Sequence, residues 1–163
     1  MQLYHVVGDA TQPVKKPAMI CHCCNDEDRW GSGFVVALGK AYPKAEQEFH
    51  AIPPNDRKLG HTQFVEKGDI IIANMIAQKG IHPSKQGPPL RYSALHKCLE
   101  EAQEKALAKG CTVHMPRIGA KRAGGDWAVI KDVIMATMKV DTYVYTLPSE
   151  ADDWPETRKG GTP

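Results

Sequence analysis

The sequence predicts an α/β fold, a three-layer α/β/α sandwich with a mixed central sheet. Short β-branched and apolar runs alternate along the chain with longer amphipathic patterns, and this alternation is typical of a sheet covered by helices on both faces. Three consecutive isoleucines at 70–72 indicate a strand that is buried on both sides. A β-type run at 62–66 precedes it, and the Lys-Gly-Asp turn between the two predicts a hairpin.

Four strands and one interrupted helix are expected in the first half of the chain. Apolar residues take up helical spacing from Phe34 onward, and Pro43 ends or kinks this helix because proline lacks a backbone N–H. Residues 45–50 resume the helical pattern. The strands are the β-type runs at 3–7, 18–24, 62–66 and 70–75.

Two helices and two strands are expected in the second half. The clearest helix spans 92–109, where apolar residues recur at helical spacing and Gly110 is placed to end it. Another helix begins after Asp126, which is a good N-cap. The strands are the runs at 113–115, which Pro116 cannot extend, and 142–146.

Length and composition restrict the class of protein. At 163 residues the chain is expected to form one domain at 1–147. The polar segment at 148–163 predicts a flexible tail, in which Trp154 is either a lone aromatic, the preferred interpretation, or docks against the domain. The net charge of +2 is too small to indicate nucleic-acid binding. The sequence shows neither a membrane-spanning run nor a signal peptide, so we expect an intracellular, cytoplasmic protein that does not bind membranes. Nothing in the sequence marks a large exposed apolar patch, so we expect a monomer.

The cysteines indicate reduced thiols rather than a disulfide framework or a metal site. Their number is odd and their spacing lacks the pattern of disulfide-rich domains. Neighbouring side chains in a strand point to opposite faces, and no second pair of ligands with zinc spacing follows. We therefore expect no metal and no cofactor. The five cysteines are Cys21, Cys23, Cys24, Cys98 and Cys111.

Two glycine-rich loops follow strands and precede helices. The first contains Gly31-Ser32-Gly33 and the second begins at Gly119. Glycines allow phosphate oxygens to approach the main chain, and a helix N-terminus presents backbone N–H groups to an anion. One such loop alone is commonly only a turn. Two loops at the carboxyl ends of strands predict a site that holds both phosphates of a diphosphate.

Polar residues beside these loops have alternative interpretations. Asp9 follows the first strand, where it either braces a turn or accepts a hydrogen bond from a ligand's amino group. His22 is either a strand histidine bonded to a neighbouring group or a general acid or base. Asp26 belongs to a charge run that is either solvated or places Asp26 near the reacting water. Asn25 lies between them at the end of the strand.

Taken in order, the short motifs of the chain resemble the macrodomain family, and the resemblance extends to Leu147. Macrodomains bind ADP-ribose, and many of them remove a group from its distal ribose. The resemblance therefore implies a macrodomain-like fold and an ADP-ribose site. The motifs are Val7-Gly8-Asp9-Ala10, His22-Cys23-Cys24-Asn25, Trp30-Gly31-Ser32-Gly33, Ala73-Asn74-Met75-Ile76, Met115-Pro116-Arg117-Ile118-Gly119 and Val144-Tyr145-Thr146-Leu147.

The resemblance also assigns roles to residues. Asp9 would accept a hydrogen bond from the adenine amino group, Tyr145 would wall the adenosine pocket, and Asn25 would lie against the distal ribose. The remaining ligand contacts implied by the resemblance are Gly8 and Ala10 near the adenosine, Trp30, Gly31, Ser32, Gly33 and Phe34 in the first loop, and Arg117, Ile118, Gly119, Ala120 and Lys121 in the second.

The chain is most similar to the branch that contains ADP-ribose 1″-phosphate phosphatases and terminal ADP-ribose glycohydrolases. In phosphatase members a histidine at the position of His22 is implicated in turnover. Many members have Gly-Cys-Gly in the second loop, whereas this chain has Gly119-Ala120-Lys121. A lysine where a glycine allows positive φ would either strain the loop or let its ammonium group reach an extra phosphate. The lysine and aspartate of the glycohydrolase mechanism are replaced by Ala77 or Gln78 and by Ala123.

The leading hypothesis is an enzyme that hydrolyses a 1″-substituent from ADP-ribose, with phosphate favoured over an acetyl ester. His22 would act as general acid or base, Asn25 would orient the ribose hydroxyls, and Asp26 would position or activate water. The alternatives are a non-catalytic reader of ADP-ribose or of ADP-ribosylated macromolecules, a mono-ADP-ribosyl glycohydrolase, and an unrelated nucleotide-binding α/β domain. The chain lacks Walker and dinucleotide-binding motifs, which argues against ATPases and dehydrogenases.

Overall fold

The computed structural model of the chain describes residues 1–157, which are organised around a six-stranded mixed sheet. The strand order is β1-β6-β5-β2-β4-β3. Every neighbouring pair is parallel except β3 and β4, which form the predicted antiparallel hairpin. The strands are β1 (Leu3–Val7), β2 (Ala18–Asn25), β3 (Thr62–Lys67), β4 (Ile70–Gln78), β5 (Thr112–Pro116) and β6 (Thr142–Thr146).

Helices cover both faces of the sheet, which confirms the three-layer prediction. Gly110 adopts φ of 67° and ends α3, and the Asp126 carboxylate accepts a hydrogen bond from Ala128 N at 2.9 Å as the N-cap of α4. Pro43 begins a new helix instead of kinking an existing one, since its fixed φ suits the first helical position. The helices are α1 (Phe34–Ala41), α2 (Pro43–His50), α3 (Tyr92–Lys109) and α4 (Trp127–Thr137).

Alternation along β2 divides the core into two layers. Met19 and Cys21 pack in the cluster that includes side chains of α3 and α4, whereas Ala18 and Ile20 pack with Leu38 of α1 on the opposite face. Successive strand residues point to opposite faces, so His22 falls on the α1 side. None of the helices within residues 1–157 is long and apolar enough to cross a membrane.

A buried polar pair connects the two central strands. His22 and Asn74 are register partners, and 2.5 Å separates His22 Nε2 from Asn74 Oδ1. Asn74 Nδ2 donates to Ala45 O and Gln63 Oε1, so Asn74 Oδ1 is the acceptor that faces the imidazole. His22 therefore carries its proton on Nε2 and leaves Nδ1 unprotonated.

A second buried histidine, His114, helps to fix the side chain of Tyr145 in β6. Tyr145 Oη accepts a hydrogen bond from Val14 N at 2.9 Å and lies 2.7 Å from His114 Nδ1, to which it donates. His114 Nε2 in turn donates to Thr112 Oγ1 at 2.8 Å. Tyr145 is thus fixed from both sides of its hydroxyl group.

The structure differs from the prediction of a flexible tail at 148–157. Two 3₁₀ turns, Pro148–Asp153 and Pro155–Thr157, continue the chain. Between them Trp154 packs on Arg117, with 3.9 Å between the Trp154 ring centroid and Arg117 Cζ. Glu156 Oε1 forms an ion pair with Arg117 Nη1 at 2.6 Å. The aromatic ring and the carboxylate have partners that a polar composition does not reveal. The rest of the predicted tail, 158–163, lies outside the described residues.

Replacing Trp154 with alanine is expected to lower the free energy of unfolding by about 2 kcal/mol, because it removes a partly buried cation–π contact and its packing. Urea denaturation followed by fluorescence measures the change. Leu107→Ala is the matched control, since Leu107 is 66% exposed. Equal stability of Trp154→Ala and the parent protein would show that this segment does not contribute to the fold.

Acid is expected to destabilise the protein through its two buried histidines. Burial lowers the pKa of His22 to about 4 and the pKa of His114 to about 4, while both titrate near 6.5 in the unfolded chain. As the pH falls below about 6.5 the unfolded chain binds protons first, so stability declines down to about pH 4 and these groups cause no further loss below it. Each histidine contributes up to about 3 kcal/mol to this decline.

His22→Gln retains an N–H donor for Asn74 but does not titrate. Between about pH 6.5 and pH 4, the free energy of unfolding of this variant should therefore fall less than that of the parent protein. Urea midpoints across this range test the expectation, with His96→Gln on the exposed side of α3 as the control. An unchanged decline in His22→Gln would contradict the assignment of a neutral, buried His22.

Candidate functional site

Both glycine loops open onto one cleft at the carboxyl ends of the strands. The cleft has a volume of about 1180 Å³ and follows the sheet edge from β1 across β6 and β5 to β2. Every residue that the sequence analysis assigned to ligand binding lines it. These residues are Gly8, Asp9, Ala10, Trp30, Gly31, Ser32, Gly33, Phe34, Arg117, Ile118, Gly119, Ala120, Lys121 and Tyr145.

The first loop delivers the N-terminus of α1 to the cleft. Gly33 is the N-cap of α1 with φ of 82°, a conformation that side chains with a Cβ rarely adopt. No side chain caps the first turn. Val36 N donates to Gly33 O at 3.1 Å, so within the described residues the N–H groups of Phe34 and Val35 are the ones that remain available to an anion. This arrangement follows from the Gly-Ser-Gly sequence between a polar turn and an apolar helix.

The second loop is tightly packed and contains backbone strain. Lys121 has φ of 57°, as its position in place of glycine predicted. Its ammonium group lies 2.5 Å from Glu150 Oε1. Gly125 N donates to Gly119 O at 2.9 Å, and a Cβ added at Gly125 would lie 2.6 Å from that oxygen. The loop is therefore closely packed around Gly119 and Gly125.

A side-chain contact joins the two loops across the cleft. Arg122 Nη1 donates a hydrogen bond to Ser32 Oγ, and Arg122 also lines the cleft. The two loops thus face each other, as a site for one diphosphate requires. Arg122 was not among the predicted site residues, although two adjacent basic residues in the second loop, Lys121 and Arg122, are the sequence signal that points to it.

At the β1 end Asp9 has the turn-bracing role that was one of its two interpretations. Asp9 Oδ1 accepts hydrogen bonds from Thr11 N and Thr11 Oγ1, both at 2.8 Å. The same residue lines the cleft beside Tyr145. Within residues 1–157 no hydrogen bond engages Asp9 Oδ2, so this oxygen remains available as an acceptor.

Arg117 lies at the cleft, but its guanidinium group points elsewhere. Its side chain is 7% exposed and packs against the rings of Trp127 and Trp154, while Nε donates to Thr146 Oγ1 at 2.9 Å. We therefore expect only the backbone of Arg117, and not its side chain, to contact a ligand. Its charged group holds the C-terminal turns against α4.

Of the three residues predicted for catalysis, two line the cleft. His22 packs against Trp30 and Phe34, with ring-centroid distances of 5.4 and 5.9 Å. Asn25 accepts hydrogen bonds from Glu27 N and Arg29 N through Oδ1 and donates to Arg29 O through Nδ2. The amide of Asn25 therefore braces the turn that follows β2.

The structure corrects the predicted position of Asp26. Its Oδ1 accepts a hydrogen bond from Gly80 N at 2.8 Å, and its Oδ2 lies 3.3 Å from Lys79 Nζ. The residue is not among those that line the cleft, because the chain turns after β2 and directs the carboxylate to the end of β4. Asp26 is thus unsuited to activating water beside Asn25.

Further residues enlarge the cleft at the ends of β2 and β4. The segment that connects β4 to α3 contributes Ile81, His82 and Pro83. Arg29 and Gln78 also line this end. Arg29 lies near Asn25, and its side chain is 63% exposed. Its Nε is 3.9 Å from Glu27 Oε2, so Glu27 compensates part of this positive charge.

The thiols near the cleft are not activated. Burial raises the pKa of the Cys23 thiol and that of Cys24 above the ordinary value, so both remain protonated at neutral pH. In the part of the chain that the structure describes, no three His, Cys, Asp or Glu side chains are grouped to hold a metal ion.

Comparison with solved structures places this geometry among known folds. A protein of unknown function from Bacteroides thetaiotaomicron is 37% identical with a TM-score of 0.86, covering 90% of this chain and 99% of its own. A macrodomain protein from Streptomyces coelicolor is 35% identical with a TM-score of 0.76, covering 89% of this chain and 99% of its own.

Curated proteins with similar sequences include a longer protein and one of similar length. Mouse chromodomain-helicase-DNA-binding protein 1-like is 29% identical over 88% of this chain. The chain spans 18% of the length of that relative. The ADP-ribose 1″-phosphate phosphatase of Candida albicans is 23% identical over 83% of this chain and 91% of its own.

No family model matches the chain. Its assignment depends instead on the Streptomyces protein, which is 35% identical and is covered over 99% of its length. The strand order, the two facing glycine loops and this match together show that the chain belongs to the macrodomain family.

Proposed function

We propose that this macrodomain binds ADP-ribose and hydrolyses a substituent from its 1″ position. The observation that carries the proposal is the single cleft onto which both glycine loops open, with the Arg122–Ser32 contact between them. Uncapped N–H groups at the start of α1 and the backbone of the second loop supply donors on both sides of a diphosphate. Such a site suits a ligand that carries two adjacent phosphates.

The order of groups along the cleft matches the order of groups in ADP-ribose. Asp9 and Tyr145 lie at the ends of β1 and β6, the second loop follows β5, and Asn25 ends β2. Neighbouring strands are about 4.8 Å apart, so roughly 14 Å separates the β1 end from the β2 end. An extended adenosine–diphosphate–ribose fits this distance with its adenine at Asp9 and its distal ribose at Asn25.

Phosphate is our preferred 1″-substituent because Arg29 lies at the same end of the cleft. A guanidinium group pairs with the negative charge that a 1″-phosphate already carries in the bound substrate, whereas an acetyl ester is neutral when it binds. In the reaction, water replaces the phosphate and yields ADP-ribose and inorganic phosphate. The sequence similarity to the Candida phosphatase supports the same choice.

Among the three residues predicted for catalysis, His22 retains a basic atom. Its Nδ1 is unprotonated, and Cys24 Sγ lies 3.8 Å away. Burial lowers the pKa of His22 to about 4, so we assign His22 the role of a neutral acceptor and not that of a cationic acid at neutral pH.

A non-catalytic reader of ADP-ribose is the second candidate. The observation that favours it is the internal use of polar atoms at the β2 end, where Asn25 bonds the following turn and Asp26 bonds Gly80. A covalent lysine mechanism has less support. Position 78 is a glutamine, position 123 is an alanine, and Lys121, a lysine that lines the cleft, pairs with Glu150.

Calorimetry with ADP-ribose tests the binding part of the proposal, and we expect saturable binding with one site per chain. Incubation with ADP-ribose 1″-phosphate and with O-acetyl-ADP-ribose, followed by ³¹P NMR or chromatography, tests hydrolysis. We expect phosphate release to be faster than deacetylation and to fall at least about tenfold in His22→Gln. Binding without turnover of either compound would identify a reader, and absence of binding would refute the proposal.

Gly125→Ala is expected to weaken ADP-ribose binding by at least about tenfold while the protein stays folded. The added Cβ would lie 2.6 Å from Gly119 O and 2.4 Å from Leu90 Cδ2, so the second loop must move. Gly110→Ala is the control, because a Cβ there has no neighbour within 4 Å and the residue has φ of 67° outside the cleft. It should lose stability but retain affinity, and equal affinity in both variants would contradict the role of the second loop.

A further inference from the structure

Arg122 is distinguished from the other strong cations of the cleft by its charge balance. Arg29, Arg117 and Lys121 line the cleft, and a carboxylate lies near each of them, namely Glu27, Glu156 and Glu150. Within residues 1–157 no carboxylate forms an ion pair with Arg122. Its partner is the neutral hydroxyl group of Ser32. Arg122 therefore supplies most of the uncompensated positive charge between the two loops.

The backbone explains why this side chain points across the cleft. Lys121, Arg122 and Ala123 form a 3₁₀ turn that Gly124 closes in the left-handed conformation, with Gly124 N donating to Lys121 O at 2.9 Å. Ala123 is buried and anchors one side of the turn in the core. Arg122 is exposed at the tip of the turn, where its side chain reaches the first loop.

We infer that Arg122 is a clamp that moves its guanidinium from Ser32 Oγ to the diphosphate when the ligand binds. This inference rests on the proposed function. A guanidinium presents several N–H donors in one plane and binds phosphate through two of them. Its bond to a phosphate is charge-assisted and stronger than a bond to a hydroxyl group, so exchange of Ser32 for the ligand is favourable.

The clamp gives the cleft selectivity for a particular part of the ligand. The loop amides bind any anion of suitable size, but Arg122 spans both loops and meets the bridge between two phosphates. Arg122 thus distinguishes nucleoside diphosphate compounds from nucleosides, and it takes no part in recognising adenine at the β1 end or the sugar at the β2 end.

Calorimetry with ADP-ribose on Arg122→Gln, Arg122→Lys and the parent protein, each at low and high salt, tests this inference. Loss of the charge-assisted bonds should weaken binding of Arg122→Gln by about tenfold at low salt, and its affinity should depend less on salt. Arg122→Lys should recover part of the affinity, since it keeps the charge but not the planar fork. Circular dichroism and thermal melts should be unchanged, because Arg122 is exposed.

Lys139→Gln is the matched control, since Lys139 is exposed before β6, at the opposite edge of the sheet, and carries the same charge. It should bind like the parent protein. Equal affinity and equal salt dependence in Arg122→Gln and the parent would overturn the clamp while leaving ADP-ribose binding intact. An equal loss in Lys139→Gln would also overturn it, because the effect would then be one of net charge. Failure of the parent protein to bind would refute the proposed function itself.

Discussion

Parallel pairing between β2 and β5 is the constraint on which the cleft depends. The pairing aligns Ala18 with Thr112 and Ile20 with His114, so the two strands run in the same direction. Their carboxyl ends therefore meet at one edge of the sheet, and the loop that follows each strand opens to the same side. An antiparallel pair would place the two glycine loops at opposite edges. The whole diphosphate site is in this sense a consequence of topology.

The parallel pairing between β2 and β4 explains why polar residues are tolerated inside the sheet. β2 and β4 are buried on both faces, and an unpaired imidazole or amide there would cost about 1 to 3 kcal/mol or more. Register places His22 directly opposite Asn74, and Gln63 of the neighbouring strand completes the network. Burial lowers the pKa of His22, so its ring is neutral and weakly basic at neutral pH. Its position beside Trp30 and Phe34 makes it part of the cleft wall as well as part of the core.

Local signals in the sequence were sufficient for the elements and the loops, but not for side-chain orientation at the site. Gly110, Asp126 and the hairpin turn act within a few residues of themselves, so their roles could be predicted from sequence. The direction of Arg117 depends on Trp154, which is 37 positions later in the chain, and that of Asp26 depends on Gly80. The partner of His22 depends on the β2–β4 register. Contacts between distant segments decide these orientations, and periodicity contains no information about them.

Different basic residues of the second loop have different roles. Arg117 and Lys121 hold the loop in place, and Arg122 faces the cleft. Left-handed backbone at Lys121 is unfavourable for a residue with a side chain, by about 1 to 3 kcal/mol, and it persists because the surrounding contacts fix it. Lys121 bonds Glu150, and Arg117 is enclosed by Trp154 and Glu156, so two basic residues of the loop attach it to the C-terminal turns. Those ion pairs neutralise their charges and leave Arg122 to act toward the cleft. A change in the C-terminal turns should therefore alter the stability of the loop, whereas a change at Arg122 should alter the charge that a diphosphate meets.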